Sequence, residues 1–150
     1  QARELSLFFP LKLKGGCFRE DIVVHLFSRI TDLDNFYLVL DTLGQEGALS
    51  VANRLGWLNI FNPHFADRRY ELDLRQNDHR RTCIVLADMA VNEPGPNLQN
   101  TTFSRHSDPA RFALIPGWEV PSSWHALTSS EYATNVGVPD DGYLCLEYCS

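Results

Sequence analysis

Cysteine is scarce in this sequence, and so are the short motifs that announce chemistry. Four cysteines in 150 residues are too few for a disulfide framework at this length. None stands in a C-x-x-C pair, so the spacing of a zinc knuckle is missing. On a strand, Cys145 and Cys149 would lie about 13 Å apart, too far to bond each other or to share a metal. The five histidines, His25, His64, His79, His106 and His125, are scattered without ligand spacing. Asp32, Asp34 and Asp41 only superficially resemble a calcium loop, because Phe36 sits where an oxygen ligand is needed. Neither Ser107 nor the Ser122-Ser123 pair lies in a G-x-S-x-G elbow, and there is no Walker loop or dinucleotide fingerprint. No cofactor and no metal is therefore expected, and no catalytic residue is assigned.

Long apolar runs are also absent. None approaches the roughly 20 residues that cross a bilayer. Internal repeats and low-complexity segments are missing too. Positive charge is in deficit: the net charge is −6, a poor basis for nonspecific nucleic-acid binding, which rests on neutralising phosphates. The chain opens at Gln1 without a basic-plus-apolar leader and reads as a piece of something longer or a processed product, with a reduced, cytoplasmic setting expected. Hydrophobic residues make up 44% and charged residues 21%, a globular mix that excludes a disordered tail or a coiled coil.

What is present is organised around 70–94. Tyr70, Leu72 and Leu74 alternate with Glu71 and Asp73, the period of a strand with one face buried. Asn77 and Asp78 offer N-caps to a following helix. Cys83, Leu86, Ala87 and Ala90 form the apolar face of that helix, with Arg81, Asp88 and Asn92 opposite. Pro94-Gly95-Pro96 stops it, since proline lacks the amide a continuing helix needs.

Before this unit the pattern is helical. Residues 18–30 read as a helix with Ile22, Leu26, Phe27 and Ile30 in one stripe and Glu20 and Asp21 favouring its N-terminal dipole. A second helix, capped by Asp32 or Asp34, turns Phe36, Tyr37, Leu40 and Leu43 inward and ends at Gly44. A third covers 46–55 with Ala48, Leu49, Ala52 and Leu55 inward and Gly56 as terminator. Trp57 to Phe61 alternates weakly and suggests a short strand. Residues 5–13 read as an edge strand or an arm interrupted at Pro10. Beyond Pro96 helical periodicity disappears. Strands are expected near 101–104 and 143–149, the latter with Leu144, Leu146 and Tyr148 on one side, and 112–115 is a brief apolar run. The expected class is α+β: an N-terminal helical cluster packed with a small, mainly antiparallel sheet and a loop-rich C-terminal half. A single domain over 1–150 is expected, with lobes at 1–61 and 62–150 as the alternative division. The central strand and helix are expected to bridge them.

Two features carry a functional reading. Arg68, Arg69, Arg75, Arg80 and Arg81 crowd the central strand and turn. They read either as charges neutralised within the domain by Glu71 and Asp78 or as a rim for an acidic partner. Trp118 and Trp124, fenced by prolines, read either as core or as partner-facing aromatics. The functional expectation is a non-catalytic protein-protein interaction or structural module. Its partner-binding residues would be Arg68, Arg69, Arg80, Arg81, Trp118 and Trp124, and its partner a protein with an acidic surface. The competing expectation is a thiol or other hydrolytic enzyme using Cys17 before the first helix, where a helix N-terminus lowers a thiol pKa, with His25, His64 or another histidine. A third is a surface or secreted domain carrying a glycan at the Asn100-Thr101-Thr102 sequon.

Overall fold

A computed structural model describes residues 18–124 and 137–150. The arm at 5–13, Cys17 and His125 lie outside them. The class is α+β, helices leading into a four-stranded antiparallel sheet. Contacts divide the chain into two compact units, Gln1–Phe65 and Ala66–Ser150. No described helix is long and apolar enough to cross a membrane.

The described part of the first unit is helical. Helix α1 spans Phe18–Leu26 and α2 spans Phe36–Leu55. The expected first helix gives way after Leu26 to a 3-10 turn at Phe27–Arg29, and Val23 is its most buried apolar residue rather than the Ile22 stripe. Gly44 has φ 71° and ψ 177°, so α2 is two helices joined at a kink, as a glycine in the left-handed region permits. Phe36, Val39, Leu40 and Leu43 before the kink, and Val51 and Ala52 after it, form the core. The N-cap is Asn35, not Asp32 or Asp34; Asp32 instead accepts from the Asn35 side chain at 2.8 Å. Gly47 gives α1 a close approach, since a Cβ there would lie 3.1 Å from Glu20 Oε1.

Trp57–Ile60 is a short helix, α3, and not the strand its weak alternation suggests. Gly56, at φ 86°, ends α2 and lets the chain turn at once into another helical turn. Trp57 and Ile60 are buried while Leu58 and Asn59 are exposed, the spacing of one helix face. Asn59 Nδ2 donates to Leu55 O at 2.6 Å, satisfying a carbonyl that the helix end leaves open.

The second unit contains β1 (Arg68–Asp73), helix α4 (Asn77–Asn92), β2 (Leu98–Ser104), β3 (Leu114–Ile115) and β4 (Tyr143–Tyr148). The strand order is β1-β4-β2-β3, and every neighbouring pair is antiparallel. Strands β1 and β2 therefore run parallel with β4 between them, joined in sequence by α4. This is a split β-α-β unit, and β1 and α4 belong to it together.

The alternation read from sequence holds on β1 and β4. Tyr70, Leu72 and Leu74 are buried, and so are Leu146 opposite Tyr70, Leu144 opposite Leu72, and Tyr148 on the same strand. Helix α4 contributes Thr82, Cys83, Leu86 and Ala87 to the core and contacts β1. Its N-cap is Gln76, which makes no side-chain capping bond, and Asn77 is already helical. The start of α4 is held by other means. His79 Nδ1 accepts the Asp73 amide at 2.9 Å, and Arg80 Nη1 donates to Leu74 O at 2.5 Å.

Candidate functional site

Asp73 ends β1, Ser104 ends β2 and Tyr143 begins β4. The register places all three in one row across the sheet, Asp73 opposite Tyr143 and Tyr143 opposite Ser104. The carboxyl ends of the two parallel strands thus meet the turn 139–142 that feeds β4. Side chains from four segments converge at this corner.

Asp141 is its anchor. Its carboxylate takes the Ser107 amide at 3.1 Å, the Gly142 amide at 2.8 Å and His106 Nδ1 at 3.0 Å. The His106 bond, then the Ser107 amide, hold the carboxyl down at about 2, because bonds to the charged form favour it. Asp141 is therefore ionised at neutral pH, and His106 Nδ1–H is the donor. Asp73 is likewise held below the usual carboxylate range, first by the Arg75 guanidinium, which grips it at 2.7 Å through Nη2.

Ser107 Oγ lies 2.8 Å from Asp73 Oδ1 and 2.5 Å from Gly142 O. Its single proton serves one of these acceptors at a time. The serine bonds a carboxylate and a carbonyl rather than the imidazole, so serine, histidine and aspartate do not line up as a nucleophile relay. Ser104, fully buried, completes the corner: its Oγ donates to His106 O at 2.9 Å and accepts the Ala113 amide at 3.1 Å. One hydroxyl thereby ties both ends of the loop 105–113.

That loop delivers an apolar strip to the surface. Phe112 and Leu114 are 44% and 54% exposed. Leu114 pairs with Ser104, so it lies on the sheet face that also carries Tyr143. The Phe112 ring meets Tyr143 edge-on, with centroids 6.0 Å apart. Strand β3 is the last in the sheet order, so among the described residues no strand pairs with its outer side.

Comparison with family models, curated proteins and solved structures gives no match. The site therefore has to be read from its own chemistry.

The residues singled out from sequence occupy several environments. Trp124 is only 5% exposed. Its ring meets Phe103 edge-on at 5.9 Å, and Trp118, half-buried, stacks on the same phenylalanine at 4.5 Å. The three rings fill one another's space and extend the core. Arg80 is engaged by the Leu74 carbonyl. Arg69 Nη2 lies 3.2 Å from Glu71 Oε1 on the same strand. Arg68 is half-buried, and Arg81 is exposed with no partner among the described residues.

Cys17, the thiol of the enzyme reading, lies outside the described residues. Burial pushes Cys83 up to about 12 and also raises Cys145, the opposite of an activated nucleophile. His25 Nδ1 bonds the Asp21 carbonyl of its own helix at 2.8 Å. His79 is buried and its pKa is lowered by desolvation. Among the described residues no group of three or more His, Cys, Asp or Glu is placed to hold a metal ion.

Sequence reasoning missed the corner and the strip. His106 and Asp141 are 35 residues apart, with no spacing rule to join them. The strip was visible only as the short apolar run at 112–115, whose exposure depends on its register with β2.

Proposed function

We propose that the protein is a non-catalytic protein-binding module that takes an extended segment of a partner along the outer edge of β3. The observation that carries this reading is the exposure of Phe112 and Leu114 beside the outer edge of β3, with which no strand pairs among the described residues. An open edge offers backbone donors and acceptors in a line, and an added strand satisfies them. Soluble proteins usually blunt such edges with charge. Strand β1, at the other end of the sheet order, is treated that way: Arg69 pairs with Glu71, and Asp73 with Arg75. Strand β3 instead presents Leu114, with Phe112 exposed two residues before it. The polar corner supports the same reading, because its bonds are satisfied internally and serve to hold the loop that displays the strip.

The test is a titration with a capped, strand-forming peptide of alternating valine and threonine, followed through backbone amide shifts. Binding is expected to perturb 112–115 first. It should disappear in the Phe112→Ser/Leu114→Ser double variant and with a peptide carrying proline at its centre. Perturbation centred elsewhere, or binding that survives the double variant, overturns the proposal. Arg81 is the guanidinium of the sequence-derived rim that is exposed and unengaged among the described residues. Its reversal to Glu asks separately whether that rim takes part.

A further inference from the structure

We infer that the first unit carries a second recognition surface, formed by Leu33, Tyr37 and Phe65 and bordered by Asp34, that takes an arginine-bearing segment of a partner. It stands on observations separate from those behind the β3 edge. Asn62 fixes the turn 62–65 beside the start of α2. Its Nδ2 donates to Asp34 O at 2.8 Å, its Oδ1 accepts the His64 amide at 3.0 Å, and its carbonyl accepts the Phe65 amide at 3.1 Å. Phe65 is thereby laid on Tyr37, with ring centroids 3.9 Å apart and planes 10° from parallel. A parallel stack covers one face of a ring, yet Phe65 remains 45% exposed. Its outer face and edges are therefore open to water. Leu33, directly before Asp34, is exposed to the same degree.

Two observations choose an arginine. The face of an aromatic ring is negative, and a guanidinium lies flat on it while its N–H groups stay open to a carboxylate. The Asp34 carboxylate is exposed and makes no bond among the described residues, so it can serve as that acceptor. Asp32 is engaged already, its Oδ2 accepting from Asn35 Nδ2 at 2.8 Å. The surrounding charge favours a cation as well. Over 29–41 and 61–65 the acids are Asp32, Asp34 and Asp41, and Arg29 is the one formal cation, with His64 counted neutral. The amide end of α2 adds about half a positive charge, so the surplus stays negative. An apolar side chain beside the arginine covers Leu33, which a free guanidinium compound leaves wet.

The experiment titrates the full chain with capped tetrapeptides, glycine-X-leucine-glycine, in which X is arginine, lysine or citrulline, and follows backbone amide shifts. The arginine peptide is expected to perturb 32–37 and 62–65 first. It should bind about fivefold more tightly than the citrulline peptide, whose side chain has nearly the same shape without the charge. Phe65→Leu, which keeps an apolar side chain at an exposed position, should erase the preference for arginine over lysine. Asp34→Asn should weaken the arginine peptide and reduce its salt dependence. Phe112→Ser/Leu114→Ser should leave all of this unchanged. Equal binding of the arginine and citrulline peptides overturns the inference, and so does a perturbation centred outside 32–37 and 62–65. Arginine-peptide binding that disappears in Phe112→Ser/Leu114→Ser belongs to the β3 edge; it overturns the separate surface and sustains the edge reading.

Discussion

The backbone amide of Asp73 donates to Nδ1 of His79 at 2.9 Å, which makes a buried imidazole the acceptor that joins the end of β1 to the first turn of α4. An accepting Nδ1 requires the neutral ring with its proton on Nε2. Protonation would place a second hydrogen against the Asp73 amide inside the core.

This sets a pH dependence for folding. Burial lowers the pKa of His79 below 6.5, so the unfolded chain takes up a proton that the folded chain refuses. The stability contributed by His79 is fully present above about pH 6.5 and falls as pH drops below it, by at most about 1.4 kcal/mol per pH unit. Urea midpoints between pH 8 and pH 5 should show this slope. His79→Gln, which keeps an acceptor and does not titrate, should remove it; an unchanged slope would assign the effect to another group.

The Asp141 carboxylate acts in a lower window. Its pKa is held near 2 in the folded chain, against an ordinary 3.8. Its contribution is present above about 3.8 and is lost as pH falls through about 2. Asp141→Asn should accelerate exchange of the Ser107 amide, whose bond to Asp141 is 3.1 Å long, and should flatten the acid dependence of that exchange. If Ser107 exchanges at the same rate in both proteins, the corner does not hold the loop.

Gly142 has no room for a side chain. Its φ is 134°, and a Cβ would lie 2.8 Å from Phe103 Cε2 and 3.0 Å from Ser104 O. Gly142→Ala should lower stability by about 1–3 kcal/mol through backbone strain and displacement of the Phe103 ring. Thermal denaturation measures it, and a change under about 0.5 kcal/mol, the scatter of ordinary surface substitutions, would contradict the packing.

Cys83 is fully buried on α4 and its thiol is pushed up to about 12 by desolvation alone. In the folded protein at pH 7.5, iodoacetamide should leave Cys83 unlabelled for as long as unfolding is suppressed, and denaturant should release it. Mass spectrometry of the peptide containing Cys83 gives the answer. Rapid native labelling would mean that α4 opens locally or is not packed as described.

Much of the sheet was legible from sequence because one-sided burial imposes a period of two. Tyr70 and Leu72 in β1, Leu74 just after it, and Leu144, Leu146 and Tyr148 in β4 could all be placed from the alternation alone. Gly44 and Gly56 were legible as breaks because a positive φ favours glycine. Trp57–Ile60 was not, because four residues with apolar ends fit a helical turn as well as a strand, and Gly56 decides between them only through its backbone angle. The caps were misread for a related reason: Asn77 and Asp78 have the right chemistry, but His79 and Arg80 anchor the turn from one step further on. The corner of Asp73, Ser104, His106, Ser107 and Asp141 was beyond reach, since it exists only once β4 is inserted between β1 and β2. Trp118 and Trp124 could be read from sequence either as core or as partner-facing aromatics, and no local spacing shows that both meet Phe103 of β2.

The placement of β4 has a consequence for how the second unit assembles. Glu71 and Tyr143, bonded through their side chains, are 72 positions apart, and the strand between β1 and β2 is the latest of the four in the chain. During synthesis the ribosome releases β1, α4, β2 and β3 before the piece that zips them exists. Until it arrives, the edges of β1 and β2 that face each other have no strand between them. Such long-range closure is slow compared with forming local helix, so the pairing of β4 is the step expected to limit how fast the second unit folds.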